Sequence, residues 1–504
     1  MNGKHMRKPL AFFLAAVLII GSLAGCGGSS APAPASPQSA PAVDASKAQQ
    51  SINAAQEQAQ ASADFDWQKF SGSTIKVSFV QHAASDSVIS KIPEFEALTG
   101  IKVEQSVTPE ANYFDKLSTS LSSRSGDPDV FMSGAYQLWD YSTAGYIEDL
   151  NNYLSNPEMI TADYDFDDLV PSAVAALQWD GVPGHPVGNG PQLGLPLMFE
   201  IYTLAYNTRA FEQAGISGPP ATYDELLEVC DKLQNWNGSG SYPLAMRGAR
   251  DWGTIHPGYM STFANFGAKD FAIENGDGST NLAVENGKLV SQLNSPESVK
   301  MNEYFVELIK RGGSPSWSKY TWYECAADLG AGKAAMMIDA DAVTIQQNWP
   351  GASQEAGNIA WAPIPVVNKG DVTTSNYWTW SLAMNNSSKN KDAAWYFLLY
   401  FTGKDFCMAS SIEGNNLDPV RTSVWESDGF KEKLKDQPGY IEAYNQTIGQ
   451  TTILFTPQPY FFETTTEWAA TLQDMIAGQY SSVQEAMDTL KAKMDRTVED
   501  IVIN

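Results

Sequence analysis

Two runs of β-branched residues separated by one helical segment constrain this chain more than any other feature. Residues 74–80 (TIKVSFV) and 101–107 (IKVEQSV) have the composition of strands, and residues 88–98 between them are predicted to form a helix. Gly100 ends that helix before the second strand begins. A strand, a helix and a second strand in this order predict a βαβ unit, and therefore an α/β fold built on a parallel sheet.

Later segments continue the alternation of strands and helices. Residues 112–123 are predicted to be helical because their apolar side chains recur at helical spacing. Thr222 is predicted to cap a helix over residues 223–233, since an Asp and a Glu follow it in the first turn. Two further helices, over residues 464–476 and 483–498, are predicted to close the chain.

The N-terminus has the pattern of an export signal. Three cationic residues precede an apolar run at 9–23, which is too short to span a bilayer as a stable helix. The run ends in residues 23–26 (LAGC), which resemble the lipobox of bacterial lipoproteins, where the cysteine is diacylated before cleavage. We therefore predict a signal peptide over 1–25 and a lipid on Cys26. An ordinary signal peptide followed by a chance cysteine is the alternative.

The segment after Cys26 is low in large apolar side chains. Residues 26–66 are rich in Gly, Ser, Ala, Pro and Gln, a composition that buries too little surface to fold by itself. We predict a disordered tether between the lipid and a globular body. The chain would then be held on the extracytoplasmic face of the cell membrane, as on a Gram-positive cell surface.

Charge and residue counts exclude several classes of function. The formal net charge of −26 repels nucleic acid. The cysteines after Cys26 are odd in number, which allows at most one disulfide, and the four histidines lack the spacing of a zinc site. We therefore predict no metal and no cofactor. Those cysteines are Cys230, Cys325 and Cys407.

A series of short motifs then resembles one protein family. Residues 95–103 (FEALTGIKV) resemble the opening of the family 1 extracellular solute-binding proteins, the relatives of maltose-binding protein. Further matches follow in the same order: residues 126–130 (GDPDV), 145–150 (GYIEDL), 195–207 (LPLMFEIYTLAYN), 211–216 (FEQAGI), 219–226 (PPATYDEL), 332–337 (GKAAMM), 362–365 (APIP) and 388–395 (SKNKDAAW). Each motif alone is weak, but their common order over most of the chain is specific.

The resemblance implies a two-lobed periplasmic-binding-protein-like fold of type II with the ligand in a cleft. One lobe would comprise residues 73–196 plus 363–425, and the other residues 197–362 plus 426–504. The chain would cross between them at 195–207 and again at 359–367, both of which read as extended segments. Such a protein closes around its ligand and delivers it, as a monomer, to the permease subunits of an ABC transporter.

Aromatic residues indicate what the cleft binds. The chain has 14 Trp and 21 Tyr, and many of them lie in loops beside polar side chains. Sugar rings stack on aromatic planes while their hydroxyl groups hydrogen-bond to planar polar groups, so we predict a carbohydrate ligand, a di- or oligosaccharide. The aromatic candidates are Tyr136, Trp252, Trp378 and Trp380. Packing between the lobes is the alternative role for each of them.

Two of these candidates carry a sharper prediction. Side chains two apart on a strand share a face, so the indoles of Trp378 and Trp380 should be neighbours and form a platform for adjacent sugar rings. The polar candidates lie at strand ends, in Gly-rich loops or within the crossing strand, where a carboxylate needs a hydrogen-bond partner. They are Gln81, His82, Ser133, Glu200, Arg247, Asp339 and Asn415.

Two other functions fit parts of the sequence. A secreted carbohydrate-active enzyme would need a pair of carboxylates, but no spacing singles out two of them, and there is no G-x-S-x-G and no P-loop. A binding protein that serves a membrane sensor instead of a permease would have the same sequence features. Loss of uptake, as opposed to loss of signalling alone, on deletion of the permease would distinguish the two.

Lipidation is tested by the variant Cys26→Ser, which removes the thiol that would carry the diacylglycerol. We expect the variant to remain an unmodified precursor. Radiolabelled palmitate measures the modification, and equal incorporation into the wild type and the variant would contradict the assignment.

Overall fold

The computed structural model describes residues 45–61, 65–275 and 280–503. Strands and helices alternate along most of these residues, as the α/β class predicts. The strands are β1 (Thr74–Val80), β2 (Lys102–Thr108), β3 (Val130–Gly134), β4 (Leu195–Asn207), β5 (Tyr242–Ala245), β6 (Ala272–Glu274), β7 (Thr280–Leu282), β8 (Val284–Glu285), β9 (Lys288–Leu289), β10 (Ala334–Ala340), β11 (Ile359–Ala362), β12 (Ser375–Met384) and β13 (Thr451–Thr452).

The helices pack around these strands. They are α1 (Ala45–Ala61), α2 (Ala83–Thr99), α3 (Glu110–Ser122), α4 (Ala135–Thr143), α5 (Asn151–Leu154), α6 (Pro171–Ala175), α7 (Thr208–Gln213), α8 (Tyr223–Lys232), α9 (Gly258–Asn265), α10 (Pro296–Gly312), α11 (Trp322–Gly330), α12 (Asp341–Thr344), α13 (Lys391–Phe401), α14 (Lys404–Ile412), α15 (Thr422–Glu426), α16 (Asp428–Leu434), α17 (Tyr440–Thr447), α18 (Phe461–Ile476) and α19 (Val483–Thr497).

Local signals in the sequence set the ends of several helices. Gly100 follows α2 with φ 69°, a left-handed conformation that suits glycine, and its N–H donates to the carbonyl of Glu96. Thr222 and Glu225 form a reciprocal capping box at the start of α8. The predicted βαβ opening is confirmed, because β1 pairs with β2 in parallel along its whole length.

One continuous sheet connects the two lobes in the order β2-β1-β3-β12-β4-β10-β5. β1, β2 and β3 are parallel to one another. β12 lies between β3 and β4 and is antiparallel to both, and β4 is also antiparallel to β10. We call the half that contains β1, β2 and β3 the first lobe, and the half that contains β5, β10 and β11 the second lobe.

β4 belongs to both lobes. Residues 195–201 pair with β12, whereas residues 202–207 pair with β10 and β11. All but one of its thirteen residues are buried, which explains why the run is almost entirely apolar. The predicted crossing at 195–207 is therefore the strand on which the two lobes meet.

The return to the first lobe lies later in the chain than predicted. β11 ends at Ala362, and the residues after it stay with the second lobe, since Val366 accepts the N–H of Tyr223 and Thr374 accepts from Asn265. The strand that returns is β12. The predicted boundary at residue 363 is too early. Residues 359–367 look like one extended segment in the sequence, and the second-lobe residues that they contact are distant in sequence and cannot be read from it.

The predicted tether of residues 26–66 is wrong over the part that the structure describes. α1 packs on the first lobe through Ile52, Ala55 and Ala59, all nearly inaccessible, and Gln56 Nε2 donates to the carbonyls of Thr161 and Ala162. Small apolar residues at helical spacing form a narrow stripe that a count of large apolar residues does not detect. The signal peptide, Cys26 and residues 27–44 lie outside the described residues.

Two further observations concern the membrane and the cysteines. Among the described residues, no helix combines the length and the apolar character needed to cross a bilayer. Cys230, Cys325 and Cys407 are buried free thiols. Burial raises the pKa of each thiol, so these cysteines behave as small apolar residues of the core.

A pair of carboxyl groups lies beneath the junction of the lobes. Asp341, at the start of α12, and Asp418, which precedes α15, are fully buried and interact with each other. Tyr440 Oη donates to Asp418 Oδ1 at 3.1 Å. Burial raises the pKa of both carboxyls, that of Asp341 to about 7.

This pair predicts a pH dependence of stability. The folded pKa of Asp341 exceeds the unfolded value of ~3.9, so the folded state binds more protons between pH 4 and 7. The stabilisation is complete below about pH 4 and is lost as the pH rises through 7. Between pH 4 and 7 the melting temperature of Asp341→Asn should change by at least about 2 °C less than that of the wild type. The exposed variant Asp436→Asn is the control, and the same pH dependence of the melting temperature in both variants would contradict the assignment.

Candidate functional site

A small cavity, partly open to solvent, lies where β4 and β12 pass between the lobes. The centre of a water molecule can move through only about 10 Å³ of it, because side chains project into the space. That is room for about one water. Nine residues from both lobes line the cavity: His82, Glu110, Glu200, Arg247, His256, Trp322, Val343, Trp378 and Trp380.

Glu200 places a carboxylate at the middle of β4. It is 5% exposed, and its Oε1 accepts the indole N–H of Trp380 at 3.1 Å and faces His82 Nε2 at 3.6 Å. His82 is the N-cap of α2, where its Nδ1 accepts the N–H of Ala84. Because Nδ1 is an acceptor, the imidazole proton is on Nε2 and points to Glu200.

Arg247 is held from several sides in the second lobe. Its Nε donates to Asp339 Oδ2 at 2.8 Å and its Nη2 to Asp339 Oδ1 at 2.5 Å, a bidentate pair with a fully buried carboxylate. Its Nη1 donates to the carbonyl of Gly253 at 3.2 Å. The guanidinium is therefore fixed in orientation, and most of its charge is offset by Asp339.

His256 completes the support of Arg247. Its Nε2 lies 3.4 Å from Arg247 Nη1, and its Nδ1 lies 2.7 Å from the hydroxyl of Tyr202. A guanidinium can only donate, so Nε2 accepts and the ring proton is on Nδ1. Burial and the nearby charge of Arg247 hold the pKa of His256 well below its usual value, so the ring is neutral.

Glu110 and Trp322 connect the lobes across the cavity. Glu110 is the first residue of α3 in the first lobe, Trp322 is the first residue of α11 in the second, and Trp322 Nε1 donates to Glu110 Oε2 at 2.8 Å. Burial raises the pKa of Glu110, which the indole N–H partly opposes. This hydrogen bond joins α3 of the first lobe to α11 of the second across the cavity.

Trp378 and Trp380 are neighbours, as their spacing on β12 predicts, but they form no flat platform. Their ring centroids are 5.0 Å apart with an angle of 77° between the planes. Trp378 stacks on His256 at 4.9 Å, and both rings lie against Trp252. The predicted surface for two adjacent sugar rings is therefore wrong, because the packing of His256 and Trp252 turns Trp378 edge-on to Trp380.

The remaining predicted residues do not line the cavity. Ser133 and Tyr136 are buried and bond to other protein groups, Tyr136 to the carbonyl of Tyr377 and the side chain of Asn376. Gln81 and Asn415 are exposed at the surface. Trp252 supports Trp378, and Asp339 acts only through Arg247.

Four lining residues are not among the site residues chosen from the sequence: Glu110, His256, Trp322 and Val343. Glu110 follows the carboxyl end of β2, an edge where open α/β sheets bind ligands, so the argument applied to Gln81 also pointed to it. Trp322 belongs to an aromatic-rich loop that the sequence shows. His256 and Val343 carry no local signal.

The cavity is rich in hydrogen-bond acceptors and aromatic faces. Two carboxylates, Glu110 and Glu200, meet indole rings and one guanidinium whose charge is already paired. Such a site suits the C–H groups and hydroxyls of a polyhydroxylated ligand. Within the described residues there is no group of three or more side chains able to hold a metal ion.

Comparisons with known proteins agree with this description. Residues 53–405 match the family model described as bacterial extracellular solute-binding protein. An erythritol/L-threitol-binding protein of Mycolicibacterium smegmatis is 40% identical over 415 residues, which cover 82% of this chain and 84% of that protein.

Solved structures share the fold. A solute-binding protein of an ABC transporter from Agrobacterium vitis S4 with bound D-mannitol superposes with a TM-score of 0.70 at 23% identity, over 85% of this chain and 99% of that chain. One from Agrobacterium radiobacter K84 in complex with ribitol gives a TM-score of 0.71 at 20% identity, with the same coverage. The resemblance read from the sequence motifs is therefore confirmed, and the chain belongs to the bacterial extracellular solute-binding proteins.

Proposed function

We propose that this protein is the solute-binding component of an ABC importer and that it captures a short polyol in the cavity between its lobes. The observation that carries the proposal is the lining of this cavity, indole rings and carboxylates from both lobes around a space with room for about one water in this conformation. The lobes must move apart to admit a ligand, and a short polyol requires a smaller opening than a di- or oligosaccharide does. A polyol therefore replaces the di- or oligosaccharide expected from the sequence.

The relatives support the same ligand class. The protein from M. smegmatis is named for erythritol and L-threitol, and the two Agrobacterium structures contain D-mannitol and ribitol. An acyclic polyol presents C–H groups to the indoles of Trp378 and Trp380, while its hydroxyls donate to Glu200 and Glu110. Hydrogen bonds to ionised acceptors are the stronger kind, so these two residues would supply much of the affinity.

Closure of the lobes would couple capture to delivery. Glu110 and Trp322 come from different lobes and meet over the cavity, so a ligand beneath them is hidden from water. A permease that recognises the closed form would then accept only loaded protein. We also propose export by the signal peptide and anchoring by a lipid on Cys26, which would keep the protein beside its permease.

Ligand size tests the proposal directly. We expect purified protein to bind erythritol or ribitol with a dissociation constant of about 1 μM or lower, roughly −8 kcal/mol, in isothermal titration calorimetry. Maltose should bind at least about a hundredfold more weakly, since the lobes would have to open to admit it. Tighter binding of maltose than of any polyol would refute the assignment. Chromatography after long incubation should return the polyol unchanged, because the protein acts as a binder and not as an enzyme.

Trp380 tests the site. Trp380→Ala removes both the aromatic face and the donor to Glu200, so affinity for the polyol should fall about thirtyfold or more, some 2 kcal/mol. Trp380→Phe keeps an aromatic face, so it should lose less affinity for the polyol than Trp380→Ala does. Trp425→Ala, on α15 and away from the cavity, is the matched control. Melting temperatures separate a binding defect from unfolding, and a folded Trp380→Ala with unchanged affinity would exclude Trp380 from the site.

A further inference from the structure

The two carboxylates of the cavity have no cation of their own. Glu200 Oε1 receives the indole N–H of Trp380 and faces the Nε2 proton of His82, both neutral donors. Glu110 Oε2 receives the indole N–H of Trp322. Among the described residues, no donor reaches the second oxygen of either group. Neither second oxygen is fully buried, so water can reach both, and a ligand with suitable donors would take the place of that water.

Arg247 offsets the charge of the two carboxylates only in part, because it is already paired. Its Nε and Nη2 are committed to Asp339, which is 0% exposed, and its Nη1 is shared between Gly253 and His256. The buried carboxyls of Asp341 and Asp418 near Glu200 add no cation either. The cavity is therefore an environment of negative potential with one neutralised ion pair at its edge.

An unpartnered donor beside the two carboxylates favours a ligand that also accepts a hydrogen bond. Trp378 is 1% exposed and lines the cavity, and its indole N–H has no acceptor among the described residues. A buried N–H without an acceptor costs about 1–3 kcal/mol. The ligand that fits this inventory has several donors, at least one hydroxyl oxygen free to accept, and no negative charge.

We propose that the cavity selects its ligand by charge, so that a polyol carrying one protonated amine binds more tightly than the uncharged polyol, and the corresponding polyol acid is rejected. This inference rests on the proposed function, because it assigns the preferred ligand class of the same site. The ammonium group would lie between Glu110 and Glu200 and donate to both. Glu110 and Glu200 are then the residues that determine specificity.

The size of the preference follows from opposing terms. Hydrogen bonds between two charged groups are roughly twice as strong as neutral ones, whereas moving an ammonium out of water offsets part of that gain. We expect a net preference of about tenfold for the amine over the parent. An acid meets two like charges and should bind at least about a hundredfold more weakly than the parent.

The experiment compares three four-carbon ligands on the same protein. Isothermal titration calorimetry at pH 7.5 would measure erythritol, 1-amino-1-deoxyerythritol and sodium erythronate. The expected order of affinity is amine, then polyol, then acid. If erythritol binds but the amine binds no more tightly than erythritol, or the acid binds as tightly as erythritol, the charge selection is overturned and the proposed function is left intact. Failure of every polyol and amine to bind would instead refute the proposed function.

A charge-removing variant assigns the preference to Glu110. Glu110→Gln keeps an amide oxygen that can accept from Trp322, so the hydrogen bond between the lobes is retained while the charge is lost. We expect the tenfold preference for the amine over erythritol to fall to about threefold or less, while the affinity for erythritol also falls because one acceptor of its hydroxyls is weakened. Glu303→Gln, an exposed position on α10, changes the net charge equally and should keep the wild-type ratio. Glu200→Gln gives the same test on β4. An unchanged ratio of amine affinity to erythritol affinity in both Glu110→Gln and Glu200→Gln would contradict the assignment of the preference to these two residues.

Discussion

The pairing of β4 with strands of both lobes is the interaction on which the rest of the structure depends. Its first half is hydrogen-bonded to β12 and its second half to β10 and β11, so one buried strand belongs to both halves of the sheet. A strand that is buried along nearly its whole length is mostly apolar, because polar groups would lose water on burial. Glu200 is a charged residue within this strand, and its position at the junction places a carboxylate in the lining of the cavity.

The polar groups around the cavity form two sets with different chemistry. In the second lobe, Asp339 and His256 hold Arg247 in one orientation and offset most of its charge. In the first lobe and on β4, Glu110 and Glu200 are bonded only by neutral donors. The second lobe thus presents a rigid, nearly neutral wall, while the opposite wall presents acceptors. A small ligand rich in donors satisfies both.

Closure and recognition depend on the same residues. Glu110 accepts from Trp322 across the mouth of the cavity with one oxygen, and its other oxygen is available to a ligand. The cavity that results is small because Trp378, Trp380 and His256 pack into it from neighbouring elements. Aromatic content, which suggested a large carbohydrate, therefore reflects the filling of the cleft as much as the binding of a ligand. In the proposed complex, the same rings that limit the ligand's size would supply the faces on which it packs.

The sequence by itself determined the α/β class, the βαβ opening, the crossing strand at 195–207 and the family, because strand and helix periodicity, capping residues and ordered motifs are local signals. It also placed His82, Glu200, Arg247, Trp378 and Trp380 among the candidates. Only the tertiary structure decided that Glu110, His256 and Trp322 join them, that Gln81 and Asn415 do not, and that α1 packs on the first lobe. These outcomes depend on contacts between segments tens to hundreds of residues apart, and such contacts are set by the packing of both lobes and leave no periodic trace in either segment.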